Sequence, residues 1–124
     1  MAQVVLVGND WKTRALLRAQ LLEEGVAVEA YESLQEALQG LFPSLPALLV
    51  ADLTVSDDPS ADIRSLANWA ARVPTWILAS RSPQVAGQLE GHNFERVFYR
   101  PIDLGQLVGL IKRQVVAEGG SRGG

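Results

Sequence analysis

An α/β fold built on a parallel sheet is what this sequence predicts, and three observations carry the prediction. Five short apolar runs alternate with segments that repeat apolar residues at helical spacing. The run Ala47-Leu48-Leu49-Val50-Ala51 is apolar without alternation, as a strand covered on both faces must be. Four runs stop abruptly at polar residues. Val4-Val5-Leu6-Val7 meets Gly8-Asn9-Asp10, the third run meets Asp52, Trp76-Ile77-Leu78-Ala79 meets Ser80-Arg81, and Val97-Phe98-Tyr99 meets Arg100-Pro101. Parallel strands bring those four ends to one rim, where open α/β sheets collect their ligand chemistry.

The elements follow in order. Strand one covers Gln3 to Val7. Helix one covers Trp11 to Glu24, with Leu17, Leu21 and the flanking Leu16 and Leu22 on its inner side, and Gly25 ends it. Strand two, Ala27 to Tyr31, alternates Val28 and Ala30 with Glu29, which suits a sheet edge. Helix two runs from Leu34 to Leu41, with Ser33 and Glu36 spaced as a capping box. Pro43 and Pro46 bracket the loop into strand three, Ala47 to Ala51. After the polar loop Ser56-Asp57-Asp58-Pro59-Ser60, helix three spans Asp62 to Arg72. Pro74 introduces strand four, Thr75 to Ala79, and helix four falls within Pro83 to Glu90. Strand five is Arg96 to Tyr99. Helix five carries the stripe Leu104, Leu107, Val108, Ile111 and Val115, and Asp103 with Gln106 suits its start. Residues 1–118 read as one domain, and 119–124 as a flexible Gly/Ser tail or linker.

Composition narrows the function. The 124 residues suit a single domain, and 48% hydrophobic content supplies a full core. A net charge of −3 with no cluster of Lys or Arg argues against gripping nucleic acid by its phosphates. Cysteine is absent, which excludes disulfides and thiolate metal sites, and the single histidine, His92, cannot build a histidine-rich one. The first residues lack the basic stretch and apolar core of a secretory leader, and no apolar run is long enough for a bilayer. A cytoplasmic protein that uses neither membrane nor nucleic acid is expected.

Asp52 is the leading functional residue, because a carboxylate ending a buried strand is costly unless it faces a pocket. Four stretches then carry a family resemblance: Val4–Asp10 leading to Arg14, Leu48–Leu53 around Asp52, Pro74–Ser80, and Tyr99-Arg100-Pro101-Ile102. Over Gln3 to Val116 the chain resembles a CheY-like response-regulator receiver domain of bacterial two-component signalling, as an atypical, degenerate member. The resemblance implies a flavodoxin-like, doubly wound (βα)5 fold with helices on both faces and strand order 2-1-3-4-5. It implies that Asp52 is the position that accepts a phosphoryl group from a histidine kinase. It puts the acidic pair that would hold Mg²⁺ at Gly8 and Asn9, neither of which is an acid; Asp10 lies one residue beyond. It puts the hydroxyl that ends strand four at Ala79, with Ser80 one step late, the lysine that ends strand five at Arg100, and the aromatic switch at Val97. A cis Arg100–Pro101 bond is implied as well.

Three functions are open on this basis. The leading one is a receiver-like protein-interaction module, without catalysis or cofactor, that works without phosphorylation. It binds a partner, or itself, through the face of helix four, strand five and helix five, a segment supplying Phe94, Phe98 and Tyr99. On this reading Mg²⁺ binds weakly or not at all, its ligands reduced to Asp52, Asp10 and a backbone carbonyl from Thr54, while Arg100 pairs with Asp52. The second is a working phosphoacceptor modified on Asp52, with Mg²⁺ as cofactor and Asp10 moved into the metal role. The third is a flavodoxin-like cofactor binder using Gly8–Thr13 as a phosphate loop, although that segment has one glycine and an acid. Asp57-Asp58 reads as a solvated loop rather than a metal site, Trp69 and Trp76 as core, and Trp11 as either a pocket cover or a packing residue.

Overall fold

A computed structural model describes residues 3–41, 44–54 and 56–123, the last six without their side chains. Pro43, Gly124 and the side chains of the tail therefore lie outside the described residues. The elements are β1 (Val4–Gly8), α1 (Trp11–Glu23), β2 (Val28–Tyr31), α2 (Leu34–Gln39), β3 (Leu48–Asp52), α3 (Pro59–Ala70), β4 (Thr75–Ala79), α4 (Pro83–Leu89), β5 (Arg96–Tyr99) and α5 (Leu104–Gly123). The backbone of α5 thus continues through residues whose composition suits a tail.

All four pairings are parallel, and the strand order is β2-β1-β3-β4-β5, as the resemblance implies. β2 and β5 are the edges, which explains the alternation in β2. β1, β3 and β4 are buried along their whole length. Alternate side chains of each strand enter opposite layers. On one face Val4, Leu6, Leu48, Val50, Trp76 and Leu78 pack with Leu17 and Leu21 of α1 and Leu107, Val108, Ile111 and Val115 of α5. On the other, Val5, Val7, Leu49, Ala51 and Ile77 pack with Ala37 of α2, Ile63 and Leu66 of α3 and Leu89 of α4. Each fully buried Leu or Ile contributes about 1.5–3 kcal/mol of transfer free energy.

Helix ends follow local chemistry. α1 ends at Gly25, whose φ of 80° only glycine adopts readily. There the Gly25 N–H donates to the Leu22 carbonyl and the Val26 N–H to the Leu21 carbonyl, a Schellman motif sealed by the buried Val26 and Leu21. Ser33 caps α2 by accepting from the Glu36 N–H, and Asp103 accepts from the Gln106 N–H at the start of α5.

Three expectations need correction. Asp52 belongs to β3 itself, its backbone in register with Gly8 of β1, so the strand runs one residue past Ala51. Helix three begins at Pro59, not Asp62, because Asp58 accepts from the Ala61 N–H as N-cap and Pro59 suits the first turn. Leu16 and Leu22 lie outside, 54% and 44% exposed, where the sequence placed them inward.

Candidate functional site

The carboxyl ends of β1, β3, β4 and β5 form one rim, and its centre is an ionic knot. Asp52, at the tip of the innermost strand, has a side chain only 4% exposed. Its Oδ1 accepts from the Thr54 N–H at 3.0 Å, and its Oδ2 accepts from Arg100 Nη2 at 2.9 Å. Arg100 arrives from the end of β5, positioned by its own backbone N–H on the Ala79 carbonyl. Its Nε donates to Thr54 Oγ1 at 2.7 Å, and Nη2 also reaches Thr13 Oγ1 at 3.1 Å and Asp10 Oδ2 at 3.4 Å. One guanidinium therefore ties the tips of β5 and β3 to the first turn of α1. The Arg100–Pro101 bond that follows is cis.

Asp10 occupies the N-cap position of α1, but its carboxylate turns to the pocket, accepting from Thr13 Oγ1 at 2.7 Å. The Thr13 hydroxyl first, and the Arg100 guanidinium in addition, hold the Asp10 carboxyl below the usual carboxylate range against a raising effect of burial. Arg14, on the same turn, donates to the Gly8 carbonyl. Gly8 is required by close approach: a Cβ there would lie 2.8 Å from Asp52 Cβ.

The rim thus gathers Asp10, Thr54, Asp52 and Arg100, with Gly8 pressed against Asp52. Asn9 is exposed, and Ala79 is buried below the rim. Ser80 lies in the loop past β4, its carbonyl accepting from the Ser82 N–H. Val97 pairs with Ile77 and packs into the layer of α2, α3 and α4. Trp11 is 63% exposed and is not among the residues lining the cavity beside Asp52. Thr13 is the residue that sequence reasoning missed; its signal was the Asp10–Thr13 spacing of three, which puts both side chains on one helical turn.

Beside the knot lies an open cavity of about 240 Å³, lined by Gly8, Asn9, Asp52, Asp57, Asp58 and Asp62 among others. Asp58 is used as the α3 cap, and Asp62 accepts from the Ser56 hydroxyl at 2.5 Å. Among the described residues no group of three or more acidic, histidine or cysteine side chains is placed to hold a metal ion, and no helix is long and apolar enough to cross a membrane. At the β5–α5 edge a second groove of about 310 Å³ is lined by Val97, Phe98, Tyr99, Ile102 and Leu110.

No family model matches the chain. Among curated proteins it is similar to the KDP operon transcriptional regulatory protein KdpE of Escherichia coli (strain K12), 33% identical over 85 residues. That match covers 68% of this chain and 37% of KdpE, so it spans well under half of that relative's length. Among solved structures it is similar to a CheY-like response regulator receiver domain protein of Methanospirillum hungatei JF-1, with a TM-score of 0.78 at 14% identity over 98% of both chains. A response regulator signal receiver domain from Bermanella marisrubri gives 0.76 at 20% identity, covering 93% of this chain and 99% of that one. The non-phosphorylated HemR receiver domain of Leptospira biflexa gives 0.75 at 18% identity over 93% and 94%. These likenesses, with the parallel sheet and its strand order, establish that the chain belongs to the receiver domains of two-component response regulators.

Proposed function

We propose that this receiver domain works as a cytoplasmic protein-interaction module that neither needs nor accepts phosphorylation on Asp52. The observation carrying this reading is the direct bond from Arg100 to Asp52. A phosphoacceptor needs a cation to offset repulsion between an anionic carboxylate and an incoming phosphoryl group. Here the offsetting charge belongs to the protein, covalently held and already bonded to the acceptor oxygen. An arginine fork suits a carboxylate, whereas a compact ammonium would leave more of the oxygen free.

The donor set does not fit Mg²⁺. That ion wants hard oxygens in near-octahedral array. Gly8 has no side chain to offer, Asn9 offers a neutral amide, and Asp52 Oδ2 is engaged. The relay positions are also reduced, since Ala79 lacks a hydroxyl and Val97 a ring. The surface best suited to a protein partner is the edge formed by α4, β5 and α5, where half-buried Phe98, Tyr99 and Ile102 line a groove. The loop of residues 8–13 turns the Asp10 carboxylate toward the rim, which suits no phosphate-bearing cofactor.

One observation favours a second reading. Asp10 does reach the rim, 3.4 Å from Arg100, so a swing of the guanidinium would leave Asp10 and Asp52 facing one site, modified in that case by a histidine kinase. Incubation with acetyl phosphate and Mg²⁺ followed by intact mass separates the two. An unchanged mass is expected. A stoichiometric phosphoryl adduct, lost in Asp52→Ala, would overturn the interaction-module reading.

A further inference from the structure

The solvent face of α1 is apolar where a surface helix should be polar. Trp11, Leu16 and Leu22 are 63%, 54% and 44% exposed, and Ala15 and Ala19 are exposed between them. At about 100° per residue, Trp11, Ala15, Ala19 and Leu22 form one stripe opposite the buried Leu17 and Leu21. α1 is therefore apolar on two faces, and its own domain covers only one.

The charges beside this stripe are arranged against the helix's own interest. The first turn has no acid and carries Lys12, while the last turn has no base and ends at Glu23. Both oppose the helix dipole, which favours the reverse. Eleven residues, or about three turns, separate them, so they share one flank of the stripe. The Lys12 ammonium sits over the Trp11 ring at 5.9 Å, keeping positive charge at that end.

We propose that α1 is a self-association surface on which a second copy packs antiparallel. A twofold axis near Leu17 sets Trp11 against the partner copy's Leu22 and brings the small Ala15 and Ala19 together at the centre. The charges unfavourable within one chain then become complementary between two, with Lys12 facing the second copy's Glu23 twice. A parallel pairing would instead set the Lys12 and Glu23 flank of one copy beside the Arg18 flank of the other and form neither Lys12–Glu23 pair. On the other flank two Arg18 side chains meet near the axis, which is unfavourable and should keep the dimer weak. Val116, 63% exposed on α5, follows Lys112 by one turn; Lys112 Nζ lies 3.3 Å from Glu24 Oε1, so an exposed apolar residue also stands near the end of the stripe. The surface does not involve the α4–β5–α5 edge and is independent of the state of Asp52.

Sedimentation velocity over roughly a hundredfold range of protein concentration tests this. A reversible monomer–dimer equilibrium is expected. Ala15→Glu, at an exposed helical position, should raise the dissociation constant at least about tenfold, and Arg18→Ala should lower it. Lys12→Glu and Glu23→Lys should each weaken the dimer, and the double swap should restore it. Each swap also suits the helix dipole, so lost association cannot be ascribed to unfolding; circular dichroism of each variant verifies this. A monomer at every concentration, or a dimer that ignores Ala15→Glu, or a double swap that fails to restore pairing, would overturn the proposal.

Discussion

Arg100 Nη2 stands 2.9 Å from Asp52 Oδ2, a bond between residues 48 apart in sequence that joins the tip of an edge strand to the tip of the central one. The partners are unequal. The Asp52 side chain is 4% exposed, whereas that of Arg100 is 29% exposed and keeps Thr54, Thr13 and Asp10 as further acceptors.

That inequality sets the cost of breaking the pair. Arg100→Ala leaves a buried carboxylate holding one backbone N–H, and should lower the unfolding free energy by about 2–3 kcal/mol. Asp52→Asn leaves the guanidinium partly solvated and otherwise bonded, and should cost about 1 kcal/mol or less. Urea unfolding with an unchanged denaturant slope measures both, and the double variant gives the coupling. A larger loss from Asp52→Asn than from Arg100→Ala would contradict this arrangement.

Acid should weaken the knot through Asp10. Its carboxyl is held low in the folded state, chiefly by the Thr13 hydroxyl. Near pH 4 the unfolded chain therefore binds more protons at this residue than the folded one, and stability rises with pH there. The contribution is complete above the unfolded pKa of about 3.9 and is lost as pH falls through the lower folded value. Thr13→Val removes the main cause, so its urea midpoint should fall less than the wild type's when both are taken from neutral pH to about pH 3.5.

Gly8 and Asn9 should differ sharply although neither is an acid. Gly8→Ala drives a Cβ to 2.8 Å from Asp52 Cβ, so the two strand tips must part. A loss of about 1–3 kcal/mol is expected, as for other overpacked sites. Asn9 is exposed, and Asn9→Asp should change stability by no more than about 0.5 kcal/mol. Thermal unfolding of the two variants checks this, and equal effects would count against the close approach of β1 and β3.

Much of this was legible because buried parallel strands write their position directly into apolar runs, and Ser33, Asp103 and Gly25 mark helix ends by local rules. The Asp52–Arg100 pairing was legible too, since both residues end runs that must share a rim. Leu16 and Leu22 misled because an apolar residue in a helix reads as core unless its angular position is checked against Leu17 and Leu21. Asp58 and Pro59 were read as loop, although they combine a cap with a favoured first-turn proline. Asp10 and Thr13 are close in sequence, but the role of Thr13 stayed hidden because only the folded chain brings Arg100, the residue after β5, to the same hydroxyl.

A Mg²⁺ titration read by tryptophan fluorescence tests the central claim most directly, because Trp11 is exposed and adjoins Asp10. With Trp11→Phe as the control for the two remaining tryptophans, the Trp11 signal should stay flat well past the millimolar range. A saturating change at millimolar Mg²⁺, absent from Trp11→Phe and abolished by Asp52→Asn, would show a cation displacing Arg100 and would contradict the account.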